Sequence, residues 1–222
     1  FNKDFSIGAT ITGSTLKNKI INDGGRDLMN TCSGGNDGTN IDGSNVQAVN
    51  GDGLKWTNHS ICREGYAVGS FYGYKAAGIV RSQAQLDELN KSAKGGVYQD
   101  GLHVGDLYYK DLNGDTKVDE NDVDVIGNGF PKVNFGLNLN ATYKNWDFSI
   151  YTYGVLGQKI LSYSAMRLST MKAADDPSVP NILKSAYNES FSVNPNGSLP
   201  RLSILDDKSS NCRVSDFWVK NG

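Results

Sequence analysis

The chain is poor in cysteine, proline and histidine, and it has no long apolar run. Its 222 residues include three cysteines, five prolines and two histidines. No apolar stretch approaches the roughly 20 residues that a membrane-spanning helix needs. Because lipid cannot hydrogen-bond exposed backbone groups, closed sets of strands are the other way to cross a bilayer. Any membrane role must therefore be carried by β-strands.

Positive and negative charges are nearly balanced, with a formal net charge of −2. No basic excess directs the chain towards nucleic acid or acidic lipid. His59 and His103 are isolated, and neither lies in a recognisable Ser/His/Asp or Cys/His signature. A glycosidase needs two carboxylates facing each other across a cleft, but the acidic residues here cluster in a single loop. We therefore expect neither an enzyme nor a nucleic-acid-binding protein.

The cysteines do not form a zinc motif. Cys32, Cys62 and Cys212 lie in loop-like sequence without any CxxC pair. In an extracytoplasmic protein, Cys32 and Cys62 would be able to close one long loop with a disulfide, leaving Cys212 over. Three unpaired thiols are an equally good interpretation of this spacing.

Glycine (26) and tyrosine (11) are plentiful, and Asn, Asp and Ser cluster between strand-like runs. This balance favours an all-β chain with many turns. The sequence begins at Phe1 and ends at Asp216–Gly222, which reads as the aromatic start of a strand. We expect the chain to be a piece of a longer polypeptide.

Three segments alternate apolar and polar residues with the period of a β-strand. The predicted strands span residues 4–14, 133–144 and 146–156. A run of about eleven residues suits a tilted strand that crosses a bilayer. Tyr143 and Trp146 flank a tight Lys144-Asn145 turn, as in an interfacial aromatic girdle. A soluble β-sandwich hairpin has the same period and stays open as an alternative.

The connections between these strands are very unequal in length. The Lys144-Asn145 turn has about two residues, whereas residues 15–132 and 157–215 form long loops. Outer-membrane barrels combine short periplasmic turns with long extracellular loops, so both long segments are expected outside the cell. Within them, short helices are predicted at Ser82–Ala93, where Ser82 is the N-cap, at residues 160–174 and at residues 181–188.

An acidic segment at residues 111–122 has the spacing of an EF-hand calcium loop. Hard cations bind several oxygens converging from one compact turn, and carboxylates this close repel one another without a cation. Thr116 replaces the usual glycine at position 6, and Asp122 replaces the usual glutamate at position 12. A solvated acidic loop is the alternative. The predicted ligands, with Lys117 contributing its backbone carbonyl, are Asp111, Asn113, Asp115, Lys117, Asp119 and Asp122.

Three ordered motifs resemble the C-terminal barrel region of SusC/RagA-type TonB-dependent outer-membrane transporters. They are EGYAVGSFYGYKAAGIV, GDLYYKDLNGDTKVDENDVDVIGN and FPKVNFGLNLNATYKNWDFSIYTYGVLGQ, and the ending SDFWVKNG is similar too. The resemblance is close over residues 64–156 and looser elsewhere. It implies part of a 22-stranded β-barrel in the outer membrane of a Gram-negative bacterium. The chain departs from the family by having no plug region and too few strands to close a barrel.

The resemblance also implies partners. Such transporters are energised by TonB through the plug, commonly work with a SusD-like surface lipoprotein, and import oligosaccharides or peptides. We therefore expect a segment of an importer that contacts outer-membrane lipid, with Ca²⁺ bracing one external loop. The alternative is a soluble, calcium-stabilised β-module that binds glycan or protein at a cell surface.

Overall fold

A computed structural model describes residues 4–22, 28–29, 60–119, 121–170, 184–203 and 210–222. Within these ranges the chain is mostly antiparallel strands with three short α-helices. The strands are β1 (Phe5–Thr15), β2 (Leu28–Met29), β3 (Ser60–Cys62), β4 (Ser70–Tyr74), β5 (Ala76–Ile79), β6 (Leu107–Tyr109), β7 (Val123–Gly127), β8 (Val133–Tyr143), β9 (Trp146–Leu156), β10 (Lys159–Leu161) and β11 (Val219–Asn221). The helices are α1 (Gln83–Ser92), α2 (Tyr163–Ser169) and α3 (Lys184–Glu189).

The three alternating segments form one antiparallel sheet in the order β1-β8-β9. Each strand has 11 residues, and their bounds lie within one residue of the predicted ones. Every residue of β8 has a partner on both sides, from Tyr143, which is opposite Phe5 and Trp146, to Val133, which is opposite Thr15 and Leu156. The alternation in the sequence therefore located these strands correctly.

The long connection between β1 and β8 has a folded core of its own. Strands β2, β3, β4 and β7 form one sheet, and β5 pairs with β6. We call this region, together with residues 210–218 that pack on it, the loop unit. Its core contains fully buried Tyr74, Tyr109 and Leu107, and Trp218 joins it from the far end of the chain. The predicted external loop is thus a compact structure in the described residues.

The predicted helices are partly confirmed. Helix α1 lies where Ser82–Ala93 was predicted, and the Ser82 hydroxyl accepts a hydrogen bond from the Gln85 N–H at 3.2 Å. Helix α2 is shorter than the predicted 160–174. The helical prediction is wrong at Ile160 and Leu161, because these residues pair with β11 as strand β10. Residues 171–174 lie outside the described residues, as do residues 181–183 of the third predicted helix.

A buried ion pair fastens the chain's C-terminal part to the loop unit. Asp106 is fully buried, and its two carboxylate oxygens accept hydrogen bonds from the Arg201 Nε and Nη2 at 2.6 and 3.0 Å. Asn211 donates to the same carboxylate at 2.7 Å and accepts from the Leu107 N–H at 2.8 Å. These contacts join residues about a hundred positions apart.

Among the described residues, no helix is both long enough and apolar enough to cross a membrane.

Candidate membrane-facing sheet and acidic loop

The β1-β8-β9 sheet has one apolar and one polar face. In antiparallel pairing, directly opposite residues point to the same side, so the observed register brings the apolar positions of all three strands together. Large side chains of this face are exposed in the chain, including Ile11 (80%) and Phe148 (60%). The apolar face comprises Phe5, Ile7, Ala9, Ile11, Val133, Phe135, Leu137, Leu139, Ala141, Tyr143, Trp146, Phe148, Ile150 and Leu156, with Gly13, Thr15, Thr152 and Gly154 between them.

Aromatic side chains lie at the edge of the apolar face that is next to the Lys144-Asn145 turn. Phe5, Tyr143 and Trp146 are adjacent across the three strands, and Trp146 is 79% exposed. Lys144 has a positive φ of 51° in the turn, and its ammonium lies 5.4 Å from the centre of the Tyr143 ring. Aromatic residues with an adjacent cation are typical of the level where hydrocarbon meets lipid headgroups.

The dimensions of the sheet suit a bilayer. Strands of 11 residues extend about 37 Å, or about 26 Å along the membrane normal at a tilt of about 45°. Outer-membrane barrels present an apolar band of about 25 Å.

On the apolar face of the sheet, the Phe135 ring covers Gly154, where an added Cβ would lie 2.3 Å from the ring. The ring thus fills the space that the glycine leaves in the neighbouring strand.

The two long connections leave the sheet at the end opposite the Lys144-Asn145 turn. The Leu16 N–H donates to the Lys132 carbonyl at 3.1 Å, and the Lys159 N–H donates to the Asn128 carbonyl at 2.9 Å. The loop unit is therefore attached directly to that end of the sheet. This arrangement matches the unequal connection lengths in the sequence.

The acidic loop is ordered by its own side chains. Asp111 accepts hydrogen bonds from the backbone N–H groups of Gly114 (2.6 Å) and Thr116 (2.7 Å). Thr116 adopts a φ of 73°, the left-handed conformation that usually favours glycine. Its hydroxyl accepts a hydrogen bond from the Lys94 N–H at 2.8 Å. The threonine thus takes the backbone conformation of the glycine that it replaces, and it connects the loop to the end of α1.

The last predicted ligand, Asp122, is fully buried. It accepts hydrogen bonds from the N–H groups of Leu112 at 2.7 Å and Asp119 at 2.8 Å, so it closes the loop upon itself. The Lys117 ammonium pairs with the Asp119 carboxylate at 2.5 Å, and this hydrogen bond lowers the pKa of Asp119 below its ordinary value. Hydrogen bonds and an adjacent cation thus offset part of the carboxylate repulsion.

The six predicted ligands lie in one compact turn, with Asn113 accepting from the Asp115 N–H at 2.8 Å. In the part of the chain that the structure describes, no three His, Cys, Asp or Glu side chains converge on one metal position. The donor types nevertheless fit a hard cation, since carboxylate, amide and backbone oxygens are the ligands that Ca²⁺ prefers. The loop thus combines a backbone ordered by its own hydrogen bonds with oxygen donors of the kind that Ca²⁺ binds.

The histidine and the cysteines that the structure describes belong neither to the membrane-facing sheet nor to the acidic loop. His103 is exposed, and its Nδ1 lies 2.8 Å from the Gly101 carbonyl, whereas His59 and Cys32 lie outside the described residues. Cys62 and Cys212 are buried, and Cys212 Sγ lies 3.2 Å from the Thr170 hydroxyl. The Cys32–Cys62 disulfide stays a prediction.

Similarity to known proteins agrees with the fold. No protein-family model matches the chain. The chain is 28% identical over 162 residues to TonB-dependent receptor P3 of Formosa agariphila. The aligned residues make up 73% of this chain and 14% of that protein. The chain is 29% identical over 157 residues to TonB-dependent receptor P26 of the same organism, covering 71% of this chain and 13% of that protein. The chain thus spans a small part of the length of the curated relatives that it matches.

These similarities and the antiparallel all-β fold support a segment of a TonB-dependent receptor.

Proposed function

We propose that this chain is a segment of an energy-coupled outer-membrane importer of the SusC/RagA type. The sheet β1-β8-β9 would supply part of a barrel wall, and the loop unit would lie on the extracellular side. The observation that carries the proposal is the apolar face, which continues across three strands and stays exposed in the chain. A soluble protein rarely leaves so large an apolar surface uncovered, whereas lipid covers it in a barrel.

The partners follow from the same proposal. TonB would act through a plug carried elsewhere in the polypeptide, and a SusD-like lipoprotein would contact the extracellular loop unit. The cargo would be an oligosaccharide or a peptide. Support for this finer assignment comes from the three sequence motifs and from the position of the loop unit at the end of the sheet opposite the short turn.

The membrane proposal is tested with the intact protein expressed in a Gram-negative host. We expect it to sediment with outer membranes, to resist extraction by salt or alkaline carbonate, and to need detergent for solubility. A protein that is monomeric in buffer without detergent would refute the proposal. That result would favour the soluble β-module that binds glycan or protein at a cell surface.

We also propose that Ca²⁺ binds the acidic loop and stabilises the extracellular side. The ligands would be Asp111, Asn113, Asp115, Lys117 through its carbonyl, Asp119 and Asp122. The ligand spacing, the left-handed backbone at Thr116 and the buried carboxylate of Asp122 support this proposal. Bound Ca²⁺ would supply positive charge that holds the carboxylates together.

Calcium binding is tested by limited proteolysis of the intact protein in detergent, with 1 mM CaCl₂ or EDTA. A ligand present at a hundredfold over its Kd stabilises the folded form by about 2.7 kcal/mol, so calcium should slow cleavage in the loop unit clearly. Asp115→Ala should remove this protection, and Asp87→Ala on the exposed surface of α1 should preserve it. Equal cleavage rates with and without EDTA would contradict calcium binding and leave a loop held by its own hydrogen bonds.

A further inference from the structure

The loop unit buries an arginine that has no carboxylate beside it. Arg213 is 8% exposed, and its guanidinium carbon lies 5.2 Å from the centre of the Tyr74 ring and 5.9 Å from that of the Tyr109 ring. Among the described residues, no Asp or Glu forms an ion pair with Arg213. Arginine stays charged in proteins, and a buried charge is costly unless it is paired. The two rings offset part of this cost, but they do not neutralise the charge.

Buried hydrogen-bond donors accompany this charge. In the part of the chain that the structure describes, Arg213 Nε and Ser215 Oγ are buried without a well-aligned hydrogen-bond partner. Ser215 is fully buried and is opposite Tyr74 in a parallel bridge. Its hydroxyl also lies beside Tyr109, the residue whose ring is close to the guanidinium. The same two tyrosines therefore flank both unpartnered groups.

Tyr109 does not supply the missing negative charge. Burial raises the pKa of Tyr109 well above its ordinary value, and this effect outweighs the lowering by the Arg213 charge, so the phenol stays protonated. Two acidic side chains of adjoining segments are bound to other groups. Asp106 pairs with Arg201, and Asp216 accepts a hydrogen bond from a backbone N–H at 2.7 Å. The counter-charge must therefore come from outside these side chains.

We propose that a chloride ion binds between Arg213 Nε and Ser215 Oγ, at a position that we call the Arg213 site. A small anion accepts hydrogen bonds from both groups and neutralises the guanidinium, whereas a water molecule would leave the charge unpaired. Burial of both side chains favours a monatomic ion, because a phosphate or carboxylate on a larger molecule would need an opening to solvent. Bound chloride would fasten residues 213–215 to β4 and β6. The Arg213 site lies inside the loop unit and does not depend on the barrel proposal.

The test is limited chymotrypsin digestion of the intact protein in detergent, in sodium chloride and in sodium gluconate at about 0.15 M ionic strength. Gluconate is too large for an enclosed site, so the two salts differ in the available occupant. Trp218 is 1% exposed, so cleavage after it reports opening of the loop unit. Chloride at about tenfold over its Kd should slow this cleavage about tenfold, because it lowers the open fraction by that factor. Equal rates in the two salts would overturn the Arg213 site.

Three variants locate the chloride effect. Arg213→Met keeps an unbranched side chain but removes the charge, so cleavage should be equally fast in both salts. Ser215→Ala removes one hydrogen bond to the ion and should raise the chloride concentration that gives half of the protection about tenfold. Arg63→Met is the matched control, because the Arg63 guanidinium lies 5.4 Å from the centre of the Tyr72 ring and is partly exposed. The control should keep the full chloride effect, and a full effect in Arg213→Met would overturn the proposal.

Bromide diffraction tests the Arg213 site in the unchanged protein, so its result does not depend on how the variants fold. Crystals of the intact protein, grown from detergent with sodium bromide, should show an anomalous peak within hydrogen-bonding distance of both Arg213 Nε and Ser215 Oγ. An ordered loop unit without a peak at this position, or with bromide at surface lysines alone, would overturn the proposal.

Discussion

At the scale of single residues, Asp106 shows how a buried charge is accommodated. Its side chain is fully buried, and burial of an unpaired carboxylate would be costly. The bidentate contact with Arg201 and the amide of Asn211 satisfy both oxygens. Removal of one partner from such a network leaves the other charge buried without compensation. These contacts stabilise the attachment of Arg201 and Asn211 to the loop unit.

Asp106→Asn is expected to destabilise the loop unit by about 3–5 kcal/mol, because Arg201 loses its charge partner in a buried site. The matched control is Asp124→Asn, since Asp124 pairs with Lys75 at 2.6 Å and both side chains are about one-third exposed. The control should cost at most about 1 kcal/mol. Protease susceptibility of the intact protein measures both, and equal effects would show that burial of Asp106 is unimportant.

Thr116 shows a second residue-scale effect. By sequence it departs from the calcium-loop pattern, because glycine is usual where φ is positive. In the structure it adopts φ 73° and binds the Lys94 N–H through its hydroxyl. A contact with a distant part of the chain thus offsets a locally unfavourable conformation. The sequence pattern could not reveal this contact.

At the scale of elements, β8 determines the character of the central sheet. It is the middle strand, and its odd-numbered residues lie on the apolar face while its even-numbered residues lie on the polar face. Leu139 is opposite both Ala9 and Ile150, near the middle of the apolar face. Asn140, its neighbour in the chain, points to the polar face.

Leu139→Arg should impair membrane insertion, because a cation at the bilayer midplane costs about 2–4 kcal/mol on the lipid face of a barrel strand. Asn140→Arg is the matched control, and it should insert normally because its side chain faces the polar side. The folded fraction in outer membranes is measured by heat-modifiable electrophoretic mobility. Equal insertion of both variants would argue against a lipid-facing role for the apolar side.

At the scale of the whole molecule, the chain's distant parts are joined in the loop unit. Strand β4 packs against the backbone of Val214, with the Tyr74 N–H donating to the Val214 carbonyl at 2.9 Å. Arg213 lies over the Tyr74 ring at 5.2 Å. Gly73 allows this approach, since an added Cβ would lie 2.3 Å from the Val214 carbonyl oxygen.

Gly73→Ala should therefore push the two backbones apart and destabilise the loop unit by about 1–3 kcal/mol, as overpacking does. The C-terminal segment should become susceptible to protease at the same time as β4. Gly8→Ala is the matched control, because no atom lies within 4 Å of its added Cβ. Cleavage confined to β4, with residues 210–218 still protected, would contradict this packing.

Much of the sheet could be predicted from sequence, because a period of two directly reports which side each residue faces. The three strands were located to within one residue for this reason, and α1 was found from its Ser82 cap. Ile160 and Leu161 were misassigned as helical, since their apolar spacing does not reveal pairing with residues about 60 positions later.

The sequence by itself therefore determined the strand periods, the unequal connections and the spacing of the acidic loop, because each is a local property of neighbouring residues. Only the tertiary structure decided which strands are neighbours, and this aligned three apolar rows into one face and placed Gly136 between Thr12 and Tyr153. It also decided that Asp106 meets Arg201 and Asn211. Such contacts depend on long-range chain closure and side-chain packing, which local patterns do not encode.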